Sequence, residues 1–166
     1  VYDFGGGTFD ACVLKVSIDE NGEEIFQELS DVGDMNLGGD DFDAELIRFM
    51  KEKFKEDNNI DIDTLDDLGR KTVIQKLKQE AEQTKKKLSG TSKVSIKINP
   101  LIIHEGVPKN LSVDITREDF EALIRKYVER SREILEEALK RANKEPDEIS
   151  KVILVGGSTL IPMVKR

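Results

Sequence analysis

The stretch Asp3-Phe4-Gly5-Gly6-Gly7-Thr8-Phe9-Asp10 decides the interpretation of this chain. Its three glycines stand between a strand-like start and the segment Phe9–Ile18, where apolar residues alternate with more polar ones as in a half-buried strand. Glycines let the backbone approach a ligand closely and turn its N–H groups toward an anion. The stretch therefore predicts a phosphate-binding turn between two strands, with a ligand-free glycine hairpin as the alternative. The apolar positions of the second strand are Cys12, Leu14, Val16 and Ile18.

Two acidic residues and a hydroxyl group flank the glycines. Asp3 and Asp10 place one carboxylate on each side of the turn, and Thr8 adds its hydroxyl. Carboxylate oxygens are ligands of Mg²⁺, which usually keeps several of its waters. The stretch therefore also predicts a hydrated Mg²⁺ ion held by Asp3 and Asp10 through water.

Three familiar phosphate-binding motifs do not fit this stretch. A P-loop requires Gly-Lys-Ser/Thr before a helix, whereas Gly7 is followed by Thr8. A dinucleotide fingerprint opens a helix, whereas Phe9–Ile18 has the alternation of a strand. Asp3-Phe4-Gly5 matches the magnesium motif of protein kinases, but no His-Arg-Asp catalytic loop precedes it.

The rest of the chain predicts a mixed α/β protein. Asn21-Gly22 is a hairpin signal because both residues tolerate positive φ, and Glu24–Leu29 follows as the partner strand. Apolar residues at helical spacing predict three long helices, and two further regions have the pattern of strands. The predicted helices span residues 41–55, 65–89 and 120–142, and the predicted strands lie within 93–115 and at 151–155, the last of them buried.

The second predicted helix carries a polar strip beside its apolar stripe. The apolar stripe consists of Ile74, Leu77, Ala81, Thr84 and Leu88. The polar strip consists of Glu82, Lys85, Lys86 and Ser89. At about 100° per residue, the strip covers an arc of roughly 100°, centred about 110° from the stripe. Such a strip can reach a ligand while the helix stays packed; the alternative is a solvated face with i,i+4 charge pairs.

Two further glycine pairs stand where a strand precedes a helix. Gly38-Gly39 leads into the first predicted helix, and Gly156-Gly157 follows the last predicted strand. Helix N-termini present unpaired N–H groups and a positive dipole end to phosphates, although a single such pair is commonly only a capping turn. Three glycine turns beside predicted strands together indicate a nucleotide site.

Composition and charge argue against several classes of function. The 166 residues carry a net charge of −8 with lysines interleaved among acidic residues, so no basic stripe is available for nucleic acid or an anionic membrane. Cys12 is the only cysteine, which excludes an intrachain disulfide. No signal peptide or long apolar segment is evident. Because Val1 opens within a strand-like segment and the chain stops where a helix begins at Pro162, we expect both ends to be cuts in a longer protein.

Four ordered segments of the chain resemble successive signatures of the seventy-kilodalton heat-shock chaperones of the DnaK type. They occur in the order and at about the spacing of that family, and the resemblance covers the whole chain. Four ordered motifs are more specific than any single glycine turn. The segments are Asp3–Asp10, Leu37–Asp43, Glu80–Ser89 and Ile153–Thr159.

The resemblance implies an actin-like ATPase fold, which is ribonuclease H-like, with two lobes around a nucleotide. This chain resembles the second, C-terminal lobe of the ATPase domain, an α/β lobe with an inserted α+β tip subdomain. The implied base subdomain comprises residues 1–37 and 116–166, and the implied tip comprises residues 38–115.

The resemblance also implies how ATP or ADP is bound together with Mg²⁺. In the family, the first glycine turn wraps the β- and γ-phosphates, the tip helix contacts adenosine, and the last glycine turn supports the sugar and the α-phosphate. The implied catalytic residues are Asp3, Thr8 and Asp10, and Asp3 and Asp10 would hold the metal through water. The implied ATP-binding residues are Gly5, Gly6, Gly7, Thr8, Gly38, Gly39, Glu82, Lys85, Lys86, Ser89, Gly156, Gly157 and Ser158.

Two residues depart from the family pattern. Leu160 stands where the family commonly has an arginine that packs against the adenine, so we expect weaker base stacking. Phe4 stands where leucine is usual, which is a change in packing. In the family, the other lobe supplies a phosphate-contacting lysine, a second phosphate turn and a further carboxylate, and phosphoryl transfer depends on positioning these groups together. We therefore expect this chain alone to bind nucleotide weakly and not to hydrolyse ATP.

The leading interpretation is a nucleotide-binding lobe of an ATP-dependent, cytoplasmic protein-folding chaperone. The implied partners are the first ATPase lobe and peptide-binding domain of the parent chain, a J-domain co-chaperone, and a nucleotide-exchange factor at the tip, with neither nucleic acid nor membrane. One alternative is a lobe of an actin-like sugar kinase or filament protein, although the Leu37–Asp43 and Glu82–Ser89 segments argue against it. The other is a module whose tip binds an exchange factor without ATP turnover.

Overall fold

The computed structural model describes residues 1–166 as a mixed α/β chain. Two compact units make up the chain, one formed by Val1–Asp40 with Arg125–Arg166 and the other by Asp41–Ile124. No helix combines the length and the apolar character of a membrane span. The strands are β1 (Tyr2–Phe4), β2 (Phe9–Ile18), β3 (Glu24–Asp34), β4 (Lys93–His104), β5 (Val107–Thr116) and β6 (Leu154–Val155). The helices are α1 (Gly39–Asn58), α2 (Asp67–Gly90), α3 (Arg117–Arg141) and α4 (Pro162–Lys165).

The first unit is built on a four-stranded sheet with the order β3-β2-β1-β6. The β1–β2 and β2–β3 pairs are antiparallel, and the β1–β6 pair is parallel. Tyr2, Phe4 and Phe9 pack edge to face in its core, with ring centroids between 4.7 Å and 6.1 Å apart. The buried hydroxyl of Tyr2 shares a 2.7 Å hydrogen bond with Ser131 of α3. Burial raises the pKa of Tyr2, so this hydroxyl stays protonated and links β1 to α3.

Strand β2 buries the face opposite to the one that its apolar alternation predicts. The buried side chains are Phe9, Ala11 and Val13. The exposed apolar side chains are Leu14, Val16 and Ile18, at 38%, 53% and 73%. Phe9 belongs to the aromatic cluster, and residues two apart on a strand share a face, so the core side is the odd-numbered one. The predicted face is therefore wrong, and the β2–β3 register also shifts after Val13.

The last strand is shorter and more exposed than the sequence predicts. A buried strand is predicted at residues 151–155, but only Leu154 and Val155 form β6, opposite Tyr2 and Asp3 of β1. Their exposed fractions are 42% and 41%. Strand β6 lies at the edge of its sheet, so one of its sides has no neighbouring strand. The prediction of burial is wrong because an apolar run does not say where in a sheet the strand lies.

The second unit combines α2, most of α1 and the antiparallel pair β4–β5. Helix α2 begins after Asp66, whose carboxylate accepts a 3.1 Å hydrogen bond from the amide of Gly69 as an N-cap. The buried stripe of α2 consists of Val73, Leu77, Ala81, Thr84 and Leu88. The predicted stripe is thus confirmed except at its first position, where Val73 is buried in place of Ile74.

Candidate functional site

The glycine turn lies between β1 and β2, where the sequence predicts it. The amide of Gly5 donates a 2.9 Å hydrogen bond to the carbonyl of Thr8, which closes the turn. Gly6, Gly7 and Thr8 are exposed. No hydrogen bond within the chain engages the amides of Gly6 and Gly7. Successive unused amides in a glycine turn form the kind of concavity that binds anions.

The carbonyl oxygen of Gly5 is hydrogen-bonded to residues of two other sequence motifs. It accepts a 3.1 Å hydrogen bond from the amide of Gly39 and a 2.9 Å hydrogen bond from the hydroxyl of Ser158. The neighbouring carbonyl of Gly6 accepts a 2.7 Å bond from the amide of Asp40. Gly39 and Ser158 are buried. The structure therefore brings the second and third glycine motifs against the carbonyl side of the turn.

Two glycines allow this close approach. A Cβ atom on Gly38 would lie 2.3 Å from the carbonyl oxygen of Gly6 and 2.6 Å from Cα of Gly7. A Cβ atom on Gly156 would lie 2.3 Å from the carbonyl oxygen of Phe4. Gly156 also has a φ of 87°, in the region that favours glycine. Because the opposing atoms belong to the backbone, neither position has room for a side chain.

Asp3 and Asp10 lie directly opposite each other on the antiparallel strands β1 and β2. Side chains in such a pair share one face of the sheet, with Cβ atoms about 4.5–5.5 Å apart, and like charges there repel each other. Mg²⁺ is commonly bound through one or two carboxylates and keeps several of its waters. No group of three or more His, Cys, Asp or Glu side chains is arranged to hold a metal ion. Two carboxylates on one face of the sheet suit a hydrated cation, which needs only one or two carboxylates from the protein.

The polar strip of α2 belongs to the second unit. Glu82 and Lys86 form an ion pair of 2.6 Å with both side chains exposed. Their hydrogen bond lowers the pKa of Glu82 and raises the pKa of Lys86. Lys85 pairs at 2.7 Å with Asp43 of α1, and these side chains are only 16% and 18% exposed. The hydroxyl of Ser89 donates a 3.3 Å hydrogen bond to the carbonyl of Lys85, so only part of the strip is a solvated face.

Two residues that contact these groups are not singled out by the sequence patterns. Asp43 forms an ion pair with Lys85. The sequence feature that points to Asp43 is its position at the end of the Leu37–Asp43 segment. Gly33 of β3 lies opposite Asp10, and a Cβ atom on Gly33 would lie 2.2 Å from Oδ1 of Asp10. An isolated glycine inside a strand is a sign of close approach by another group, which is the signal that Gly33 offers.

A comparison with protein-family models identifies the family of the chain. The model described as Hsp70 protein matches residues 1–166, and therefore covers all four motifs and both compact units. ATPase domains of that family bind ATP or ADP with Mg²⁺ in general. Since the match extends over the whole sequence, the chain belongs to the Hsp70 family of heat-shock chaperones and corresponds to part of their ATPase domain.

Proposed function

We propose that this chain is a nucleotide-binding lobe of an ATP-dependent chaperone and that the Gly5–Thr8 turn binds the phosphates of ATP or ADP. The observation that supports the proposal is that carbonyls of the turn are hydrogen-bonded within the chain and two of its amides are not. Its carbonyls are held by buried neighbours through Gly39 and Ser158, while the amides of Gly6 and Gly7 are exposed and unused. Amides held in place before the anion arrives lose little freedom when it binds, which is the basis of electrostatic preorganisation.

Asp3, Thr8 and Asp10 are the proposed catalytic residues beside this turn. A bound Mg²⁺ ion would supply positive charge that neutralises the phosphates. Asp3 and Asp10 would accept hydrogen bonds from the waters of the ion, and the exposed hydroxyl of Thr8 would donate to a phosphate oxygen. The position of the two carboxylates on one face of the sheet supports this assignment.

The strip of α2 is the proposed contact for adenosine, on the strength of family membership. The carboxylate of Glu82 can accept hydrogen bonds, and the ammonium groups of Lys85 and Lys86 and the hydroxyl of Ser89 can donate them. Leu160 is 62% exposed, so Leu160→Arg has room to place a guanidinium over a base. A cation stacked on a π-face contributes roughly 0.5–2 kcal/mol, and we expect Leu160→Arg to tighten ADP binding by about two- to thirty-fold. Unchanged or weaker binding would exclude Leu160 from the adenine contact.

We propose residues 1–37 and 116–166 as the base of the lobe and residues 38–115 as its inserted tip. The compact units differ from this division mainly in α3, whose first residues up to Ile124 belong to the second unit. The proposed partners are the first ATPase lobe and the peptide-binding domain of the parent chain, a J-domain co-chaperone and a nucleotide-exchange factor at the tip, in the cytoplasm.

Calorimetry with ADP, with and without Mg²⁺, tests the proposal. We expect binding weaker than about 1 µM, because this chain supplies contacts from one lobe alone, and we expect Mg²⁺ to strengthen it. Asp3→Ala should abolish the effect of Mg²⁺, whereas Gly90→Ala, at an open position at the end of α2, should leave it intact. Absence of ADP binding, or the same affinity with and without Mg²⁺, would contradict the proposed site.

Phosphate release under single-turnover conditions tests whether the chain is active by itself. We expect only background hydrolysis, because losing one donor to the transition state can already cost about 10²–10³ in rate. Asp3→Ala is the control for contaminating ATPases. Hydrolysis that persists through purification and disappears in Asp3→Ala would show that the chain completes a catalytic site without the other lobe.

A further inference from the structure

Gly33 lies at one end of a row of residues that runs across the sheet of the first unit. Asp3 of β1 is opposite Asp10 of β2, and Asp10 is opposite Gly33 of β3. Directly opposite residues on neighbouring strands point to the same face. A side chain at residue 33 would therefore lie beside Asp10, on the face of the sheet that carries Asp3 and Asp10.

The carboxylate of Asp10 occupies the space that a side chain at residue 33 would need. A Cβ atom on Gly33 would lie 2.2 Å from Oδ1 of Asp10, 3.2 Å from its Cγ and 2.9 Å from the carbonyl oxygen of Phe9. Non-bonded heavy atoms are at their optimal separation at about 3.5–4.0 Å. Even the methyl group of alanine would therefore displace the carboxylate of Asp10 from its present position.

The backbone conformation of Gly33 does not by itself require glycine. The glycines with positive φ are Gly22, Gly106 and Gly156, and Gly33 is not among them. Gly156 borders the other carboxylate, since its Cβ atom would lie 2.8 Å from Oδ1 of Asp3. However, Gly156 is also constrained by its φ and by the carbonyl of Phe4. At residue 33 the nearest atom that a Cβ atom would meet is a carboxylate oxygen of Asp10, and the carbonyl oxygen of Phe9 is the next nearest.

We propose that Gly33 is a positioning residue for Asp10: the missing side chain at residue 33 allows the rotamer in which the Asp10 carboxylate meets the waters of Mg²⁺. This inference rests on the proposed function of Asp10 as a metal ligand through water. It adds that the geometry of the carboxylate is set from β3, by a residue with no functional group of its own.

The first experiment measures ADP binding to the wild-type chain and to Gly33→Ala over a range of Mg²⁺ concentrations. We expect Gly33→Ala to weaken the apparent affinity for Mg²⁺ by about 10- to 100-fold, the range seen when a residue that orients a metal ligand is changed. Binding of ADP without Mg²⁺ should be unchanged, because the turn amides are untouched. Asp10→Ala should cause the same loss, and the double variant should lose no more than either single one. An unchanged Mg²⁺ dependence in Gly33→Ala, or additive losses, would overturn the proposal.

A folding control keeps the proposal testable if Gly33→Ala unfolds. A clash with the Asp10 carboxylate disappears when that carboxylate is removed, so adding Asp10→Ala to Gly33→Ala should restore cooperative unfolding. If folding is not restored, the contact with the Phe9 carbonyl is the decisive one, and the proposal is wrong. Gly90→Ala is the matched glycine-to-alanine control, because its Cβ atom would meet nothing within 4 Å.

A ligand-free measurement separates this inference from the proposed function. Three-bond NMR couplings report χ1 of Asp10, and we expect a different rotamer population in Gly33→Ala than in the wild type. An unchanged χ1 would refute the positioning role, whatever the nucleotide data show. A wild-type chain that binds ADP without any effect of Mg²⁺ would refute the proposed function of Asp10, and the χ1 measurement would still decide for or against Gly33.

Discussion

The glycine turn of the first unit and the polar strip of the second unit are both proposed to bind nucleotide, but the chain positions them by different means. The turn is held by hydrogen bonds of 2.7 Å to 3.1 Å to its carbonyls and by glycines whose Cβ atoms would overlap backbone. The strip consists of side chains, with Glu82 and Lys86 exposed and Lys85 paired in a largely buried site.

This difference predicts which residues of the turn and of the strip tolerate substitution. A side chain that overlaps backbone atoms cannot avoid them by changing its rotamer, so the turn requires glycine at residues 38 and 156. Exposed charge pairs are screened by salt and lose side-chain entropy when they form, so they contribute little to stability. We therefore expect large effects of small substitutions around the turn and graded effects along the strip.

Gly156→Ala should have the largest effect of the substitutions considered. Alanine at a φ of 87° and a ψ of 151° would adopt a backbone conformation that is essentially restricted to glycine and costs about 1–3 kcal/mol, and overlap with the carbonyl of Phe4 adds about 1–3 kcal/mol. The free energy of unfolding should fall by about 2–6 kcal/mol, measured by urea denaturation. Gly157→Ala is the matched control, because its Cβ atom would meet nothing within 4 Å, and it should stay within about 0.5 kcal/mol of the wild type. Similar losses in both variants would contradict the steric explanation.

Lys85→Met should have the next largest effect, and it tests whether the largely buried ion pair of the strip is worth more than the exposed one. It breaks the ion pair with Asp43 while keeping an apolar side chain of similar length. The site is intermediate between a surface pair, at about 0–1 kcal/mol, and a buried one, at about 3–5 kcal/mol, so we expect a loss of about 1–3 kcal/mol. Lys86→Met should cause no measurable change in urea denaturation because its pair with Glu82 is exposed. Equal losses in the two variants would show that burial does not distinguish the pairs.

Ser158→Ala should have a smaller effect, because the carbonyl of Gly5 keeps its hydrogen bond from Gly39. The loss of one such bond lowers the free energy of unfolding by about 0.5–1.5 kcal/mol. Ser17→Ala on β2, at an exposed position, is the control and should match the wild type. If Ser158→Ala also matches the wild type, its bond to Gly5 does not stabilise the turn.

The smallest predicted effect is the pH dependence contributed by Glu82. The hydrogen bond from Lys86 lowers the pKa of Glu82, so the folded state favours the charged carboxylate. Its contribution is present above the usual glutamate pKa of about 4.3 and is lost as pH falls through the lower, folded-state pKa. The difference in stability between the wild type and Glu82→Gln should therefore be small at neutral pH and disappear on acidification or in high salt. A difference that grows on acidification would have the wrong sign.

The helices of this chain were predictable from periodicity, and the faces of its strands were not. Predicted helices at 41–55, 65–89 and 120–142 correspond to α1, α2 and α3 within a few residues, because a 3.6-residue stripe is a local and repeated signal. Strand β2 carries apolar residues on both faces, so its alternation does not say which face meets the aromatic cluster. Strand β6 is apolar but exposed, because its burial depends on what lies beside it.

The sequence alone determined the family, the long helices and the glycine turn between two strands, since each of these is written in short segments with their own periodicity or motif. Only the tertiary structure showed that the carbonyl of Gly5 accepts a hydrogen bond from Ser158, 153 residues away in sequence. It alone also paired Lys85 with Asp43 and placed the Asp10 carboxylate against Gly33. Contacts between residues so distant in sequence depend on how strands and helices pack. A glycine inside a strand indicates that some group approaches closely, but it does not say which residue provides that group.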